Sequence, residues 1–374
     1  MTMAETTGQG YSVGENIKLA GFRGLYGAYK RAKGAGKPLG PDAESTHAQG
    51  TDKEWNESLY FNFTDPRTGI GGYTRIGVLP NQDSDIGVMM LFAGGKRLLV
   101  TSQGGRAETD GGFKVGSLSY ERVEPLKKWK LTFEGVMGDL DDARMLTQVD
   151  PESIPKRPVE VELEWEGIAA PFNFKDSDPA AIAEMLVAAG TKLGDLRSVS
   201  KVGSEHYEQA GRVTGAIRFD GNARRFEGSG HRDHSWGVRD WSAPRAWTWL
   251  TCQFGDELAF NLSRVAIESV DIFNGFLCHG GQNFPVRRAE LTTVFEDDGL
   301  TQKSLRFTFE DTSGMTIEVE GNVLKSSRST CVRAATRRWS TRGWRSTPGR
   351  AARHTASRST STRCRGQAPS TSPT

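Results

Sequence analysis

From Trp55 onward, hydrophobic and polar residues alternate along the chain with a period of two. The alternation runs through LYFNF (59–63) and GGYTRIGVLP (71–80) and continues in short runs to residue 174. It resumes at HYEQAGRVTGAIRF (206–219) and continues to residue 324. A period of two, with Gly, Pro and Asp between the runs, is typical of antiparallel strands at meander spacing. The chain therefore predicts an all-β fold with few helices.

One segment between the two runs of strands has a helical pattern, PAAIAEMLVAAGTKLG (179–194). Asp176 or Ser177 is its predicted N-cap and Gly194 its stop. Two runs of strands separated by one helix predict two β-barrels or strongly curved sheets, which we place at residues 51–190 and 191–325. The chain shows no strand–helix–strand alternation and no Gly-rich phosphate loop, which argues against a nucleotide-binding α/β fold.

The N-terminal arm, residues 1–50, contains a second helical pattern at about residues 15–33. Apolar and basic residues are interleaved there, as in helices that lie on a membrane surface. The pattern also fits a helix that packs against the body of the protein, and we favour that interpretation. Gly21, Gly24 and Gly27 weaken the segment as an isolated helix, because glycine is a poor helix former.

Composition narrows the class of protein. Of 374 residues, 36% are hydrophobic and 25% are charged, which is ordinary for a globular protein. The chain has no apolar run long enough for a membrane helix and no secretory pattern at its start. Its four Cys show no CxxC spacing, so we expect neither disulfides nor structural zinc and place the protein in the cytoplasm. Residues 1–325 hold 37 Lys or Arg and 46 Asp or Glu, and this acidic body argues against nucleic acid as a partner.

The pattern changes abruptly after Lys325. Residues 326–374 contain 11 Arg, no Lys, Asp or Glu, and 19 Ser or Thr. This composition predicts a disordered basic tail. The second interpretation, which we favour, is a shift of the reading frame near Lys325. Segments of the tail can be written with GC-rich codons that, when read in a shifted frame, encode acidic peptides with a strand-like pattern. The nucleotide sequence decides the matter, since stop codons in the shifted frame would exclude it.

Reactive side chains are densest in GSGHRDHSWGVRDW, residues 228–241. If residues 226–236 form a strand, Arg232, His234 and Trp236 share one face, and His231 and Asp233 share the other. A barrel strand turns one face to the cavity. We predict that His234 transfers a proton there, that Asp233 orients its imidazole, and that Trp236 stabilises a carbocation.

Structural roles compete with this assignment. Trp236 fills the core in that interpretation, and Asp233 forms an ion pair with Arg232 or Arg239 that closes a turn. Metal binding by His231, Asp233 and His234 is disfavoured, because neighbouring residues of a strand point to opposite sides. The predicted ligand-binding residues are Trp247, Trp249, Arg232 and Arg239, with core packing as the alternative for the two Trp.

The segment GHRDHSWGVRDW resembles lipocalin-like proteins of the hydroxyneurosporene synthase (carotenoid 1,2-hydratase) and AttH group, and a bacterial branch with an RDHSWG signature in particular. HYEQAGRVTG (206–215) and residues 55–77 fit the same branch. The resemblance implies two tandem lipocalin-like antiparallel β-barrel domains and a hydrophobic ligand. The His-x-Trp pair of the hydratases corresponds to His234 and Trp236. Those hydratases also use a Tyr and an Asp on a later strand. Residues 246–267 contain no Tyr, and their Asp256 falls in a predicted turn, which argues against hydration.

These observations lead to two hypotheses about function. In the first, the protein performs acid–base chemistry without a cofactor or metal on an isoprenoid, steroid-like or lipid molecule, by hydration, isomerisation or cyclisation. In the second, it carries such a molecule without chemistry, and the motif is a structural clamp. A weaker third hypothesis is attachment to a membrane surface through residues 15–33.

Overall fold

Two antiparallel sheets and two helices account for most of the described chain. The computed structural model describes residues 11–188, 190, 205–238, 246–267, 270–327 and 361–365. The prediction of an all-β fold with few helices is confirmed within these ranges. No helix among them is long and apolar enough to cross a membrane.

The first sheet curls into a barrel. Its strands are β1 (Trp55–Asp65), β2 (Ile70–Val78), β3 (Asp85–Ala93), β4 (Leu98–Gly105), β5 (Gly112–Val115), β6 (Leu118–Glu124), β7 (Lys128–Leu140), β8 (Lys156–Gly167), β9 (Phe172–Asn173), β10 (Glu205–Phe219) and β11 (Asn222–Val238). The strand order is β4-β3-β2-β1-β11-β10-β8-β7-β6-β5, and β9 pairs with β10. A second pairing joins β4 to β7, from Leu98 opposite Leu140 to Val100 opposite Gly138. This pairing closes the strands into a ring.

Alternating side chains fill the inside of this ring. Leu59, Phe61 and Phe63 of β1 are at most 2% exposed and belong to a core that includes Trp129 of β7 and Trp165 of β8. The interior is therefore packed with side chains, as is typical of a small barrel. The period of two seen in the sequence reflects this burial of one face.

The second sheet is a seven-stranded meander. Its strands are β12 (Ala246–Phe254), β13 (Leu258–Ile267), β14 (Val270–His279), β15 (Gln282–Phe295), β16 (Gln302–Asp311), β17 (Thr316–Lys325) and β18 (Ser361–Arg365), paired in chain order. The predicted hairpin turn at Gly255–Asp256 is confirmed, and Gly255 has a φ of 61° that glycine adopts readily. β18 lies within the predicted disordered tail, and residues 328–360 and 366–374 lie outside the described residues.

The helices are α1 (Val13–Ala32) and α2 (Pro179–Ala188), and they pack against each other. α1 begins with a capping box in which Ser12 and Glu15 exchange side-chain and backbone hydrogen bonds. Its Phe22 is buried against Leu186 and other apolar residues of α2. The predicted N-cap of α2 was wrong. Asp178, directly before Pro179, accepts the hydrogen bond from Ala180 N at 3.0 Å.

The two sheets divide at a different place from the predicted domain boundary at residue 190. β10 and β11 pair with β8 and β1 of the first sheet, so the division falls between Val238 and Ala246. Strands β10 and β11, which the sequence pattern placed in a second domain from residue 191, thus belong to the first sheet. Local periodicity identifies strands but carries no information about which distant strand pairs with them.

Candidate functional site

The sequence motif lies on β11, between β1 and β10, and its side chains alternate as predicted. His234 lies opposite Leu59 of β1 and Tyr207 of β10. Arg232 and His234 point into the ring and are 1% and 0% exposed. His231 points the other way, where its ring contacts Trp249 of the second sheet. One strand therefore presents two separate groups of reactive side chains.

Glycine allows β11 to approach β1 closely. A Cβ at Gly228 would lie 2.0 Å from Thr64 O, and a Cβ at Gly230 would lie 2.3 Å from Asn62 O. Both distances are far below van der Waals contact, so a side chain at either position requires the backbone to move. The glycines next to the motif thus have a packing function, as the sequence indicated.

Arg232 forms the centre of a buried polar network inside the ring. Its Nη2 lies 2.8 Å from Glu44 Oε1, and its Nε donates to Gln209 Oε1 at 2.8 Å. The guanidinium also lies 5.2 Å from the ring centroids of Trp165 and Tyr207, within cation–π distance. Because Arg232 and Glu44 are both essentially inaccessible to solvent, each charge depends on the other for compensation.

His234 continues this network toward the surface. Tyr207 Oη donates to Glu44 Oε1 at 2.6 Å and lies 3.0 Å from His234 Nδ1. His234 Nε2 lies 2.9 Å from Glu57 Oε1, and His47 Nδ1 lies 2.7 Å from the same oxygen. Burial raises the pKa of Glu57, but the hydrogen bonds from His234 and His47 outweigh it and lower that pKa to about 2. Both ring nitrogens of His234 are thus occupied by internal partners.

The predicted partners of His234 are arranged differently from expectation. Trp236 is half-buried and stacks on His47, with ring centroids 3.6 Å apart and planes within 4°. Asp233 lies on the opposite face of β11, and the predicted orienting contact to His234 is not made. Tyr207 and Glu57 orient that imidazole instead. The reason is the strand geometry, which turns adjacent side chains to opposite sides.

A cavity of about 350 Å³ lies between the two sheets, and we refer to it as the inter-sheet cavity. Its apolar walls come from both sheets and include Phe63, Phe92, Leu250, Phe260, Leu305 and Phe307. Its polar lining includes Tyr60, Asn62, His231, Trp249 and Thr251. The volume and the mixture of an apolar wall with a few polar groups are typical of small-molecule sites.

His231 meets a carboxylate at the edge of this cavity. Its Nε2 lies 2.7 Å from Glu208 Oε2, and Trp249 Nε1 donates to both oxygens of Glu208 at 3.2 Å. His206 Nε2 lies 3.7 Å from the same carboxylate. Burial lowers the pKa of His231 to about 3. The imidazole is therefore neutral at pH 7 and donates one N–H to Glu208.

Tyr60 presents a hydroxyl at the same place. Its Oη is buried and has no well-aligned hydrogen-bond partner among the residues that the structure describes. The ring packs edge-on against Trp249, with centroids 4.8 Å apart, and stacks on Tyr73 at 5.6 Å. Burial raises the pKa of Tyr60, and the nearby Asn62 amide offsets only part of that rise. A neutral buried hydroxyl of this kind is a ready hydrogen-bond donor for a ligand.

The other predicted ligand-binding residues are distributed over three regions. Trp249 lines the inter-sheet cavity, whereas Trp247 is half-buried on β12 and is not part of its lining. Arg232 lies inside the first ring and does not line the cavity either. Arg239 lies outside the described residues. Their roles in binding stay predictions.

Two clusters of side chains have the composition of a metal site. Ligand atoms of His47, Glu57 and His234 lie within 4.8 Å of one another, and so do those of His206, Glu208 and Asp233. Either set could hold a divalent transition ion through imidazole and carboxylate groups. The trio considered from the sequence, His231, Asp233 and His234, is not brought together.

Comparison with known proteins places the chain among its relatives. The model of a domain of unknown function, DUF7064, matches residues 40–351. The chain belongs to the DUF7064 family. No curated protein matches it.

Solved structures resemble this DUF7064 chain in fold. An AttH-type protein from Nitrosomonas europaea is 13% identical, with a TM-score of 0.51, and the alignment covers 78% of this chain and 87% of that protein. The protein CghA is 11% identical over 80% of this chain and 87% of its own, with a TM-score of 0.45. Kievitone hydratase from Nectria haematococca is 10% identical over 78% and 86%, with a TM-score of 0.41. The AttH-type match establishes a lipocalin-like fold for this DUF7064 chain.

Several site residues were missed by the sequence reasoning. Glu44 and Glu57 contact the motif from the N-terminal arm and β1, far away in the sequence. Tyr60 had a usable signal, because it alternates with the apolar Leu59 and Phe61 and so faces away from the first core. Glu208 had a similar signal, since it follows the buried Tyr207 on β10.

Proposed function

We propose that the protein binds a hydrophobic small molecule in the inter-sheet cavity and performs acid–base chemistry on it without a cofactor. One observation carries the proposal. A cavity whose walls are largely apolar contains a neutral imidazole held by a carboxylate and a buried tyrosine hydroxyl without a well-aligned partner. Burial of a polar group without a partner is costly, and a bound ligand that accepts its hydrogen bond removes that cost. Titratable groups with shifted pKa in a cavity are also typical of functional sites.

Each group has a distinct role in the proposed chemistry. Tyr60 Oη donates a hydrogen bond to a carbonyl or hydroxyl oxygen of the ligand. His231, whose Nε2–H is held by Glu208, takes a proton from one atom of the ligand at Nδ1 and returns it to another atom. The Glu208 carboxylate compensates the transient imidazolium charge, which burial disfavours. The face of Trp249 stabilises positive charge that develops nearby. These steps suffice for an isomerisation or cyclisation, whereas hydration also requires water in the cavity.

The ligand class is part of the proposal. We propose an isoprenoid, steroid-like or lipid molecule and membership of the hydroxyneurosporene synthase and AttH group, as the RDHSWG signature implies. The earlier assignment of proton transfer to His234, with Asp233 and Trp236, stays a prediction. The internal partners of both His234 nitrogens favour the second function, carriage of the ligand with β11 as a structural clamp.

The test begins with native mass spectrometry of protein purified from its own host, which identifies a retained ligand by mass. The complex is then incubated in D₂O, where reversible proton abstraction adds deuterium to the ligand. We expect Thr251→Trp, which fills the cavity, to abolish binding. We expect Tyr60→Phe and His231→Gln to retain the ligand and to stop the deuterium uptake.

A matched control comes from the second sheet. His279 Nε2 lies 3.0 Å from Asp311 Oδ2, so it also pairs with a carboxylate, but it does not line the cavity. His279→Gln should leave both ligand retention and deuterium uptake unchanged. Deuterium uptake that persists in His231→Gln and stops in His234→Ala would move the chemistry to His234. Ligand retention without any uptake in the wild type would establish the carrier function.

A further inference from the structure

The N-terminal helix α1 has a second apolar side that no described residue covers. Its inner side packs on α2 through Phe22. Four large apolar side chains of α1 are nevertheless exposed: Val13 and Ile17 are 79% and 69% exposed, and Leu25 and Tyr29 are each 51% exposed. They lie on one row of residues spaced by four, which winds around the helix, so Val13 and Ile17 point away from α2 whereas Leu25 and Tyr29 lie closer to the side of Phe22. We refer to them as the outer ridge.

The outer ridge is unusual for a surface helix. Gly21, Gly24 and Ala28 lie between its members, so the surface there consists of hydrocarbon and exposed backbone with few polar groups. Exposed apolar patches with polar rims mark sites of interaction with proteins or membranes. The capping box at Ser12 and the contacts to α2 fix α1 in this orientation, so the ridge is presented by a formed helix.

Charge decides which partner fits the outer ridge. Residues 11–37 contain six Lys or Arg and one acidic residue, Glu15. Residues 38–325 contain 31 Lys or Arg and 44 Asp or Glu. Lys18, Arg23, Arg31 and Lys37 are exposed on or next to α1. A basic helix on an acidic body is attracted to an anionic surface and orients the body away from it.

We propose that the outer ridge of α1 binds the surface of an anionic lipid bilayer. Val13, Ile17 and Leu25 enter the boundary between headgroups and acyl chains, and Tyr29 lies at headgroup level. Lys18 and Arg31, at the two borders of the ridge, contact the anionic headgroups. The helix lies along the surface and does not cross the bilayer. This role is independent of the inter-sheet cavity and of any chemistry there.

The test is co-sedimentation of the full chain with vesicles of phosphatidylcholine alone or of phosphatidylcholine and phosphatidylglycerol in equal parts. We expect binding to the anionic vesicles that falls as salt is raised, and little binding to the neutral ones. Ile17→Glu with Leu25→Glu should reduce the binding about ten-fold or more, because two apolar side chains are lost from the interface. Lys18→Glu with Arg31→Glu should reduce binding to the anionic vesicles alone.

The matched control is Val136→Glu with Val294→Glu, which adds two acids at exposed apolar residues of the two sheets, 55% and 48% exposed. This variant should bind like the wild type. Circular dichroism verifies that all variants are folded. Wild-type protein that stays in the supernatant with both vesicle types would overturn the proposal, as would unchanged binding of the Ile17 and Leu25 variant. A dimer seen by light scattering that dissociates in the same variant would also overturn it, because a second copy would then cover the ridge.

Discussion

Glu44→Gln tests whether the inner face of β11 is a structural clamp. Glu44 is the carboxylate partner of Arg232, and the two side chains are 0% and 1% exposed. The substitution preserves volume but leaves the guanidinium without a counter-charge among Trp165, Tyr207 and Gln209. Removal of one partner from a buried ion pair costs about 3–5 kcal/mol. Because Gln retains an oxygen that accepts from Tyr207, we expect the lower end, about 3 kcal/mol.

Urea unfolding followed by tryptophan fluorescence measures this loss. With an m-value near the upper end of the usual range, about 3 kcal/mol per M, the midpoint should fall by roughly 1 M. Trp129 and Trp165 lie next to Arg232 and report on the first ring. Combining Glu44→Leu with Arg232→Met removes both charges and should restore most of the stability, since hydrophobic replacements of a buried pair are often neutral or favourable.

The control is Glu162→Gln, which breaks an exposed pair with Lys130 on the same sheet. It should leave the midpoint unchanged, because exposed pairs contribute little. If Glu44→Gln behaves like this control, Arg232 does not depend on Glu44 and the clamp interpretation fails. If Glu44→Gln instead abolishes ligand retention while stability is preserved, the inner face takes part in binding.

Three other predictions follow from the packing and the charges. Gly228→Ala should destabilise the protein by about 1–3 kcal/mol in the same urea assay, because the added Cβ would lie 2.0 Å from Thr64 O. The control is Gly24→Ala on α1, whose added Cβ has no atom within contact distance and should not destabilise the protein. In the folded state the pKa of the Glu57 carboxyl is lowered from 4.5 to about 2, so the ionised carboxylate stabilises the wild type relative to Glu57→Gln by about 3 kcal/mol. This extra stability should be complete above pH 4.5 and should disappear as the pH falls toward 2. A difference in stability that stays constant with pH would refute the prediction. Iodoacetamide should label Cys252, which lines the cavity, and should spare Cys278, because burial raises the pKa of the Cys278 thiol to about 11. Peptide mass spectrometry identifies the labelled cysteine. Equal labelling of Cys252 and Cys278 would contradict the burial of Cys278.

Local patterns predicted the elements well and their assembly less well. The period of two identified the strands, and the alternation on β11 correctly separated Arg232 and His234 from His231. Which of these faces meets a cavity depends on the partner sheet, and the sequence near the motif does not contain that information. The expected cavity behind His234 is filled by aromatic rings and by residues from the N-terminal arm. The cavity lies behind His231, where the second sheet packs.

The missed residues share one physical cause. Glu57 meets His234 across 177 positions, and Glu44 meets Tyr207 across 163. Pairing at such separations is decided by the global arrangement of strands, whereas propensity and periodicity act within a few residues. Tyr60 could have been found from the local sequence. It lies on the outward face of β1, and an aromatic side chain with a hydroxyl group on that face indicates that a second surface packs there.

The pairing of β1 with β11 also constrains how the protein is made. The ring cannot close until residue 238 has left the ribosome, although β1 is complete at residue 65. During that interval one edge of β1 lacks its neighbour, and exposed strand edges are sites of aggregation. We therefore expect the nascent chain to depend on chaperones mainly between these two stages of synthesis.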